Sequence, residues 1–328
     1  MIKVGIIGYG KMGRIRHDAA DMTGLCEVVA ISEPSSSYSE NKLENMSHEE
    51  MIQHPDIDAV IICTPNNFNK DLAIRSLNAG KHVFCEKPPA FNAKEVEEII
   101  QAEQRSNGKK LMYGFNHRHH DSIIQMKKTI DSGEFGRILW MRGRYGKSVT
   151  KDYYNEWRAK KELAGGGIVI DQGIHMIDLC LYLAGDFDKV SAEVSNLYWH
   201  LPVEDNAFII LKNTNTGCVA SLHSTMTQWR HLFSLEIFFE KGYMVLNGLL
   251  TSSRTYGDEV LSIAKNRSTA PAATWEDEEH IKYHVDNSWR SEVEHFFNAI
   301  NNDSPIEIGN SMDALKVMKI IDEIYKQY

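Results

Sequence analysis

An α/β unit followed by an α+β unit is the fold the sequence predicts, the first a doubly wound parallel sheet and the second a large, mostly antiparallel sheet. Three observations predict it. A glycine-rich turn, Gly8-Tyr9-Gly10-Lys11-Met12-Gly13, directly follows the first strand-like run. Strand and helix patterns then alternate to about residue 115, the rhythm of a parallel sheet. Beyond that point strand-like runs follow one another with short links, which implies antiparallel neighbours. At 328 residues the chain is too long for one ordinary core, so two domains are expected, at 1–118 and 119–328, with the C-terminal helices able to pack back on the first.

In the first half, residues 3–7 form an apolar strand and a helical pattern runs past Ala19 and Ala20. Strand, G-x-G-x-x-G and helix in that order are the context of a dinucleotide fingerprint. Gly8 permits the turn, Gly10 lets backbone approach a pyrophosphate, and Gly13 allows helix and strand to pack closely. The helix amides then meet the phosphates. Glu33 ends the second strand, residues 26–32, 20 residues after Gly13. A carboxylate there accepts from ribose hydroxyls and repels a 2′-phosphate, which favours NAD. Ser35, Ser36 and Ser37 beside it leave NADP open. Further strands are expected at 57–63, 82–85 and 111–115, and helices at 71–79 and 93–104. Thr64-Pro65-Asn66 and Glu86-Lys87-Pro88 fall at carboxyl ends of strands, where open parallel sheets bind ligands.

In the second half a helix is expected at 121–132 and strands at 137–145, 189–198, 205–212, 217–224, 232–240 and 243–247. Asn213 to Gly217 reads as a hairpin loop. Residues 265–287 read as a long polar loop, and helices are expected at 288–301 and 311–327. The stretch Gly165 to Leu179 carries Asp171 and His175 amid Ile168, Ile170, Ile174 and Ile177. If it is helical from about Val169, these two titratable groups share a face and project into one pocket, an arrangement suited to proton transfer.

Composition narrows the partners. There are 36 basic and 45 acidic residues, a formal charge of -9, which argues against nucleic acid or an anionic membrane and for a small molecule. Five cysteines without C-x-x-C spacing read as thiols of a reducing cytoplasm. The N-terminus runs straight into a strand pattern rather than a signal peptide. The most apolar run, 168–184, holds Asp171, His175 and Asp178, unlike a membrane span.

Taken together, Gly8-x-Gly10-x-x-Gly13, Thr64-Pro65-Asn66, Ala79-Gly80-Lys81-His82-Val83 with Glu86-Lys87-Pro88, and Gly165 to His175 resemble the glucose-fructose oxidoreductase, inositol dehydrogenase and rhizopine catabolism family over nearly the whole length. The resemblance implies an NAD(P)-dependent oxidoreductase with a Rossmann domain and an open sheet, assembled as a dimer or tetramer through the sheet's free face. Its substrates would be sugars, cyclitols, sugar acids or nucleotide sugars. It also makes Lys87-Pro88 a candidate cis peptide. Many members read T-P-N-x-x-H, and here Asn69 stands where that histidine would fall.

The chemistry follows from the residue types. Alcohol oxidation needs a base of near-neutral pKa, expected in His175. Lys87 is expected to donate to the reacting oxygen, and Asp171 to orient the imidazole or hold a neighbouring hydroxyl. Cofactor contacts are expected from Gly8, Tyr9, Gly10, Lys11, Met12, Gly13, Glu33, Thr64, Pro65, Asn66, Glu86 and Lys87. Substrate contacts are expected from Lys87, Asn116, Arg118, Trp157, Arg158, Asp171 and His175. Arg142, Arg144, Lys147, Lys151, Arg158, Lys160 and Lys161 form a basic cluster that suits an anionic substrate group, or a solvated face interleaved with acids. Thr227 to His231 is a polar and aromatic cluster at a strand end, fit to flank a sugar or to cap the sheet. His117, His119 and His120 match no metal-site spacing, and no metal is expected. Two other activities suit the same fold: a sugar–sugar oxidoreductase or eliminating enzyme that keeps and recycles its NAD(H), and a non-catalytic dinucleotide sensor.

Overall fold

The computed structural model describes residues 1–34, 43–267 and 269–328. Two compact units divide the chain: Met1–Asn116 with Ser288–Met318, and His117–Asn287 with Lys319–Tyr328. The change at Asn116 falls two residues ahead of the expected boundary, and residues 288–318 count with the first unit.

The first unit contains β1 (Ile2–Ile7), α1 (Lys11–Thr23), β2 (Cys26–Ser32), β3 (Glu44–Asn45), α2 (His48–Gln53), β4 (Ala59–Ile62), α3 (Asn66–Asn78), β5 (His82–Cys85), α4 (Ala93–Arg105) and β6 (Leu111–Tyr113). Its six strands lie in the order β3-β2-β1-β4-β5-β6, every pair parallel. All four residues of β4 are buried, so it reads as an unbroken apolar run, as a strand covered on both faces must. The chain runs outward from β1 to β3 and returns to β4, so the strand order switches between β1 and β4. Crevices at such switch points, beyond the carboxyl ends, are where ligands bind, and the glycine turn and Thr64-Pro65-Asn66 sit there. Helix α3 starts at Asn66 rather than near 71, because Pro65 holds φ at -54° just before it and pre-sets the first turn.

The second unit contains α5 (Asp121–Asp131), β7 (Ile138–Ser148), α6 (Lys161–Ala164), α7 (Ile174–Ala184), β8 (Lys189–Ser195), β9 (Asn206–Lys212), β10 (Val219–Thr225), β11 (Thr227–Phe239), β12 (Gly242–Asn247), β13 (Val260–Lys265) and β14 (Glu279–Lys282). Eight strands lie in the order β14-β13-β12-β11-β7-β10-β9-β8. Among the described residues of this sheet, only β10 and β7 pair in parallel; the others are antiparallel. Strands β13 and β14 correct the sequence reading, which had no strand at 260–265 and a loop over 265–287. Strand β14, Glu-His-Ile-Lys, has a single apolar residue. An edge strand is protected by charge rather than marked by hydrophobicity, so it carries no periodic signal. Burial alternates along β9, leaving one face open with Trp140, Phe208 and Ile210 exposed on it.

Helices α8 (Ser288–Asn301) and α9 (Ser311–Tyr325) close the chain. Val293, Phe296 and Phe297 of α8 enter the first unit's core with Val4, Ala20 and Phe84. The last turns of α9 belong to the second unit. Residues Lys161–Ala184 are long and apolar enough to cross a membrane, the most apolar 18-residue window having mean hydropathy 1.3, but 83% of that window is buried within the protein, as a core segment is.

Candidate active site

The glycine turn fits a dinucleotide for reasons visible in its packing. Gly8 has φ +89°, and a Cβ there would stand 2.7 Å from the Cys63 carbonyl oxygen. At Gly13 a Cβ would stand 2.2 Å from the Gly8 carbonyl oxygen. Among the described residues, Gly10 has no atom within 4 Å of such a position, and no side chain caps α1 there. Internal packing therefore demands Gly8 and Gly13, while at Gly10 the open space and uncapped helix start suit a phosphate. Glu33 lies beside this turn, its Oε2 accepting from the Tyr9 amide at 3.0 Å. Tyr9 is buried and its hydroxyl bonds His17 Nδ1; Lys11 is exposed and Met12 half-buried. Ser35, Ser36 and Ser37 lie outside the described residues.

Beyond β4 and β5 two turns are fastened together. The Asn69 side chain is fully buried. Its Nδ2 donates to the carbonyls of Pro88 at 2.8 Å and Glu86 at 3.3 Å, and its Oδ1 accepts from Thr64 Oγ1 at 3.1 Å. Asn69 therefore grips the backbone on both sides of half-buried Lys87. The Lys87-Pro88 bond is cis. Asn69→Ala is expected to lower turnover about tenfold while cofactor affinity holds, since misplacing a catalytic group by a fraction of an ångström is costly; steady-state kinetics within about twofold of wild type would refute this.

Glu86, expected at the cofactor, has its carboxylate committed elsewhere. It accepts from Arg16 Nε at 2.6 Å, and Arg16 Nη1 donates to Glu292 at 2.5 Å. Arg16 is fully buried, with its guanidinium against the Phe84 and Trp289 rings at 4.5 and 4.8 Å. Burial alone would lower its pKa; Glu292 and Glu86 outweigh that and hold it above the ordinary value.

In the second unit the three glycines are packing devices. Gly165 takes φ +81° after α6. A Cβ at Gly166 would stand 2.1 Å from the Tyr325 hydroxyl, and one at Gly167 would stand 2.0 Å from the Glu204 carbonyl oxygen. The buried Glu204 carboxylate accepts from the Gly167 and Val169 amides at 2.8 and 3.1 Å and from Tyr325 Oη at 2.7 Å, capping the helix that follows. Burial raises its pKa despite those donors.

That helix opens as a π turn, Val169–Gly173, before α7. Such insertions concentrate at functional sites. Asp171 is on it and His175 follows four residues later on α7. Lys147 Nζ lies 3.0 Å from Asp171 Oδ2, and Arg158 Nε lies 3.5 Å from Oδ1. His175 is 5% exposed; its ring stacks on His117, centroids 3.8 Å apart at 17°. His117 Nε2 is 3.0 Å from Tyr145 Oη. Gln172 donates to Tyr256 Oη at 2.6 Å.

Other expected substrate contacts are redistributed. Arg118 is 3% exposed and forks onto Asp178, Nε to Oδ2 at 2.9 Å and Nη2 to Oδ1 at 2.6 Å, so its charge serves the core of the second unit. Buried Asn116 donates to Ser288 Oγ at 3.3 Å. Arg142 pairs with Glu236, and Lys147 and Arg158 with Asp171, so these members of the basic cluster already face carboxylates. Arg158 also lies 4.3 Å over the Trp157 ring. His120 pairs with Glu259 at 3.0 Å. Lys147 as Asp171's partner, Glu204 as helix cap, and His117 as the stacking ring were missed. Their only sequence signal was an ordinary polar residue far away in the chain.

A glycine turn at a strand-order switch, followed by a second sheet unit, places the chain by class among the dinucleotide-binding Rossmann proteins. The chain belongs to the GFO/IDH/MocA oxidoreductase family: residues 2–115 match its NAD-binding Rossmann domain and 123–245 its C-terminal domain. It is similar to levoglucosan dehydrogenase of Pseudarthrobacter phenanthrenivorans, 32% identical over 66% of this chain and 60% of that protein. It is also similar to inositol 2-dehydrogenase of Salmonella paratyphi B, 31% identical over 56% of this chain and 55% of that protein. These matches thus span little more than half the length of either relative. A solved levoglucosan dehydrogenase in complex with NADH and levoglucosan has TM-score 0.87 at 25% identity, covering 99% of this chain and 96% of that one.

Proposed function

We propose that this chain is an NAD-dependent dehydrogenase that moves hydride between a secondary hydroxyl of a sugar or cyclitol and nicotinamide. The observation that carries the reading is the π turn that sets the 5%-exposed His175 flat on His117, four residues beyond Asp171, in a chain that also has the glycine turn and Lys87. The names of the similar levoglucosan and inositol dehydrogenases support the substrate class.

Oxidising a secondary alcohol takes a hydride from carbon and a proton from oxygen. NAD, when bound, supplies the hydride acceptor. His175 takes the hydroxyl proton, a task for which imidazole needs little adjustment. Lys87 donates a hydrogen bond to the reacting oxygen as negative charge grows there. Asp171, held by Lys147 and Arg158, accepts from a neighbouring hydroxyl and fixes the ring. An uncharged sugar suits this arrangement better than an anion, because the two cations Lys147 and Arg158 already face two carboxylates, Asp171 and Glu156.

The test is a screen for NADH or NADPH formation against free sugars, cyclitols, sugar acids and nucleotide sugars. Turnover of an uncharged sugar or cyclitol with NAD preferred is expected; no reduction of either cofactor by any of them would refute the reading. A cofactor spectrum that survives desalting, without net NADH release, would favour the recycling enzyme instead. The same reading makes the protein a homo-oligomer through the face that exposes Trp140, Phe208 and Ile210, refuted by a single-chain mass in light scattering. With five free cysteines it is assigned to the cytoplasm, refuted by recovery of the protein from the secreted fraction.

A further inference from the structure

Strand β11 departs from regular pairing at one place. Thr227 faces Ser148 and Leu232 faces Gly146 on β7, so Gln228, Trp229, Arg230 and His231 loop out against the single residue Lys147. Bulges re-aim side chains and gather beside active sites. Lys147 is the residue that holds Asp171; its ammonium also lies 4.8 Å from the Tyr153 ring centroid. At the end of the bulge His231 packs edge-on against Tyr256 at 4.7 Å, and Tyr256 takes the hydrogen bond from Gln172, next to Asp171. The bulge therefore borders the Asp171 turn through two separate routes.

What the bulge presents is aromatic. Trp229 sits at φ +57°, a left-handed backbone uncommon for a bulky residue and costing on the order of 1 kcal/mol, and it is 60% exposed. Its ring meets Tyr198 at 4.9 Å and Trp199 at 6.2 Å. Tyr198 is 55% exposed, whereas Trp199 is buried and anchored, Nε1 donating to the Met226 carbonyl at 3.1 Å. Core packing does not account for a strained, exposed tryptophan, and an exposed cluster of this kind marks a binding surface. Rigid amphipathic rings interleaved with Gln228, Arg230 and His231 match a pyranose, which has apolar C–H faces and polar hydroxyl edges.

We propose that Trp229, with Tyr198, is a subsite for the second ring of a glycoside whose other sugar is oxidised at His175. The inference rests on the dehydrogenase reading and narrows its substrate class from free sugars to glycosides.

The experiment compares D-glucose, D-galactose and myo-inositol with cellobiose, lactose and phenyl β-D-glucopyranoside at saturating NAD, for wild type, Trp229→Ala and Tyr198→Ala, with solution mass measured for each. The two-ring sugars should have the higher kcat/KM in wild type. Both variants should lose about tenfold on them through KM, while one-ring sugars change less than about twofold. Equal loss on both kinds, no loss on either, or a smaller solution mass, which would make the rings an interface between copies, overturns the proposal. Saturation-transfer NMR of phenyl β-D-glucopyranoside on NADH-loaded protein decides the subsite without turnover: contact in wild type that vanishes in both variants supports it, and contact equal in all three, or absent in wild type, overturns it. If no sugar reduces NAD, the dehydrogenase reading fails while this binding result still stands.

Discussion

Lys87→Ala and His175→Ala should each bind NAD normally and lose about 100-fold or more in turnover, the range expected when a general acid, base or charge-stabilising donor is removed. The glycine turn and Glu33 are untouched by either change, so cofactor affinity, read by fluorescence titration of NADH, is the internal control. Residues that serve one chemical step are strongly non-additive. The double variant is therefore expected to fall little further than the worse single. Near-normal turnover in either single would remove that residue from the mechanism, and fully multiplicative losses would argue that the two act in separate steps. His175 carries a second check. Its ring lies flat on His117, so His117→Ala should lower turnover with less effect on NADH affinity, by releasing the imidazole from its plane.

Arg16→Ala should cost about 3–5 kcal/mol of stability, because it strands two carboxylates that the fold has taken out of water. Glu292 has no exposed surface and Glu86 is 7% exposed, and Arg16 binds both at 2.5–2.6 Å. The guanidinium also fills the space between Phe84 and Trp289, so truncation adds a cavity between α1 and α8. Chemical denaturation measures this directly, and a loss of about 1 kcal/mol or less would show that the network is solvated in solution. The triple replacement of Arg16, Glu86 and Glu292 by apolar residues of similar volume should be milder than Arg16→Ala, since it leaves no buried charge unpaired. Glu86 immediately precedes Lys87, so the network also braces the turn that carries the proposed donor.

Legibility in the sequence followed the range of the interaction. The glycine turn was readable because its causes are local: Gly8 and Gly13 collide with backbone only a few residues or one strand away. The parallel unit was readable because fully buried strands form apolar runs that alternate with helices. Strand β14 was not, because its place at the sheet edge is fixed by Leu261–Ile281 and neighbouring pairs rather than by its own side chains. Arg118 looked like a cleft residue, since nothing beside it in the chain reveals that Asp178, 60 residues on, takes up its charge. Asn69 looked like a missing histidine, yet its amide reaches the carbonyls of Glu86 and Pro88 that flank Lys87.

By itself the sequence determined the two-unit architecture and the dinucleotide turn, and put forward Lys87, Asp171 and His175 as the proposed chemical groups, because periodicity, glycine sterics and side-chain chemistry are properties of short segments. Only the tertiary structure decided which charges those groups face: Asp171 with Lys147 and Arg158, Glu86 with Arg16, His175 on the His117 ring. Electrostatic and stacking partners are chosen by distance in space, and the folded backbone sets that distance.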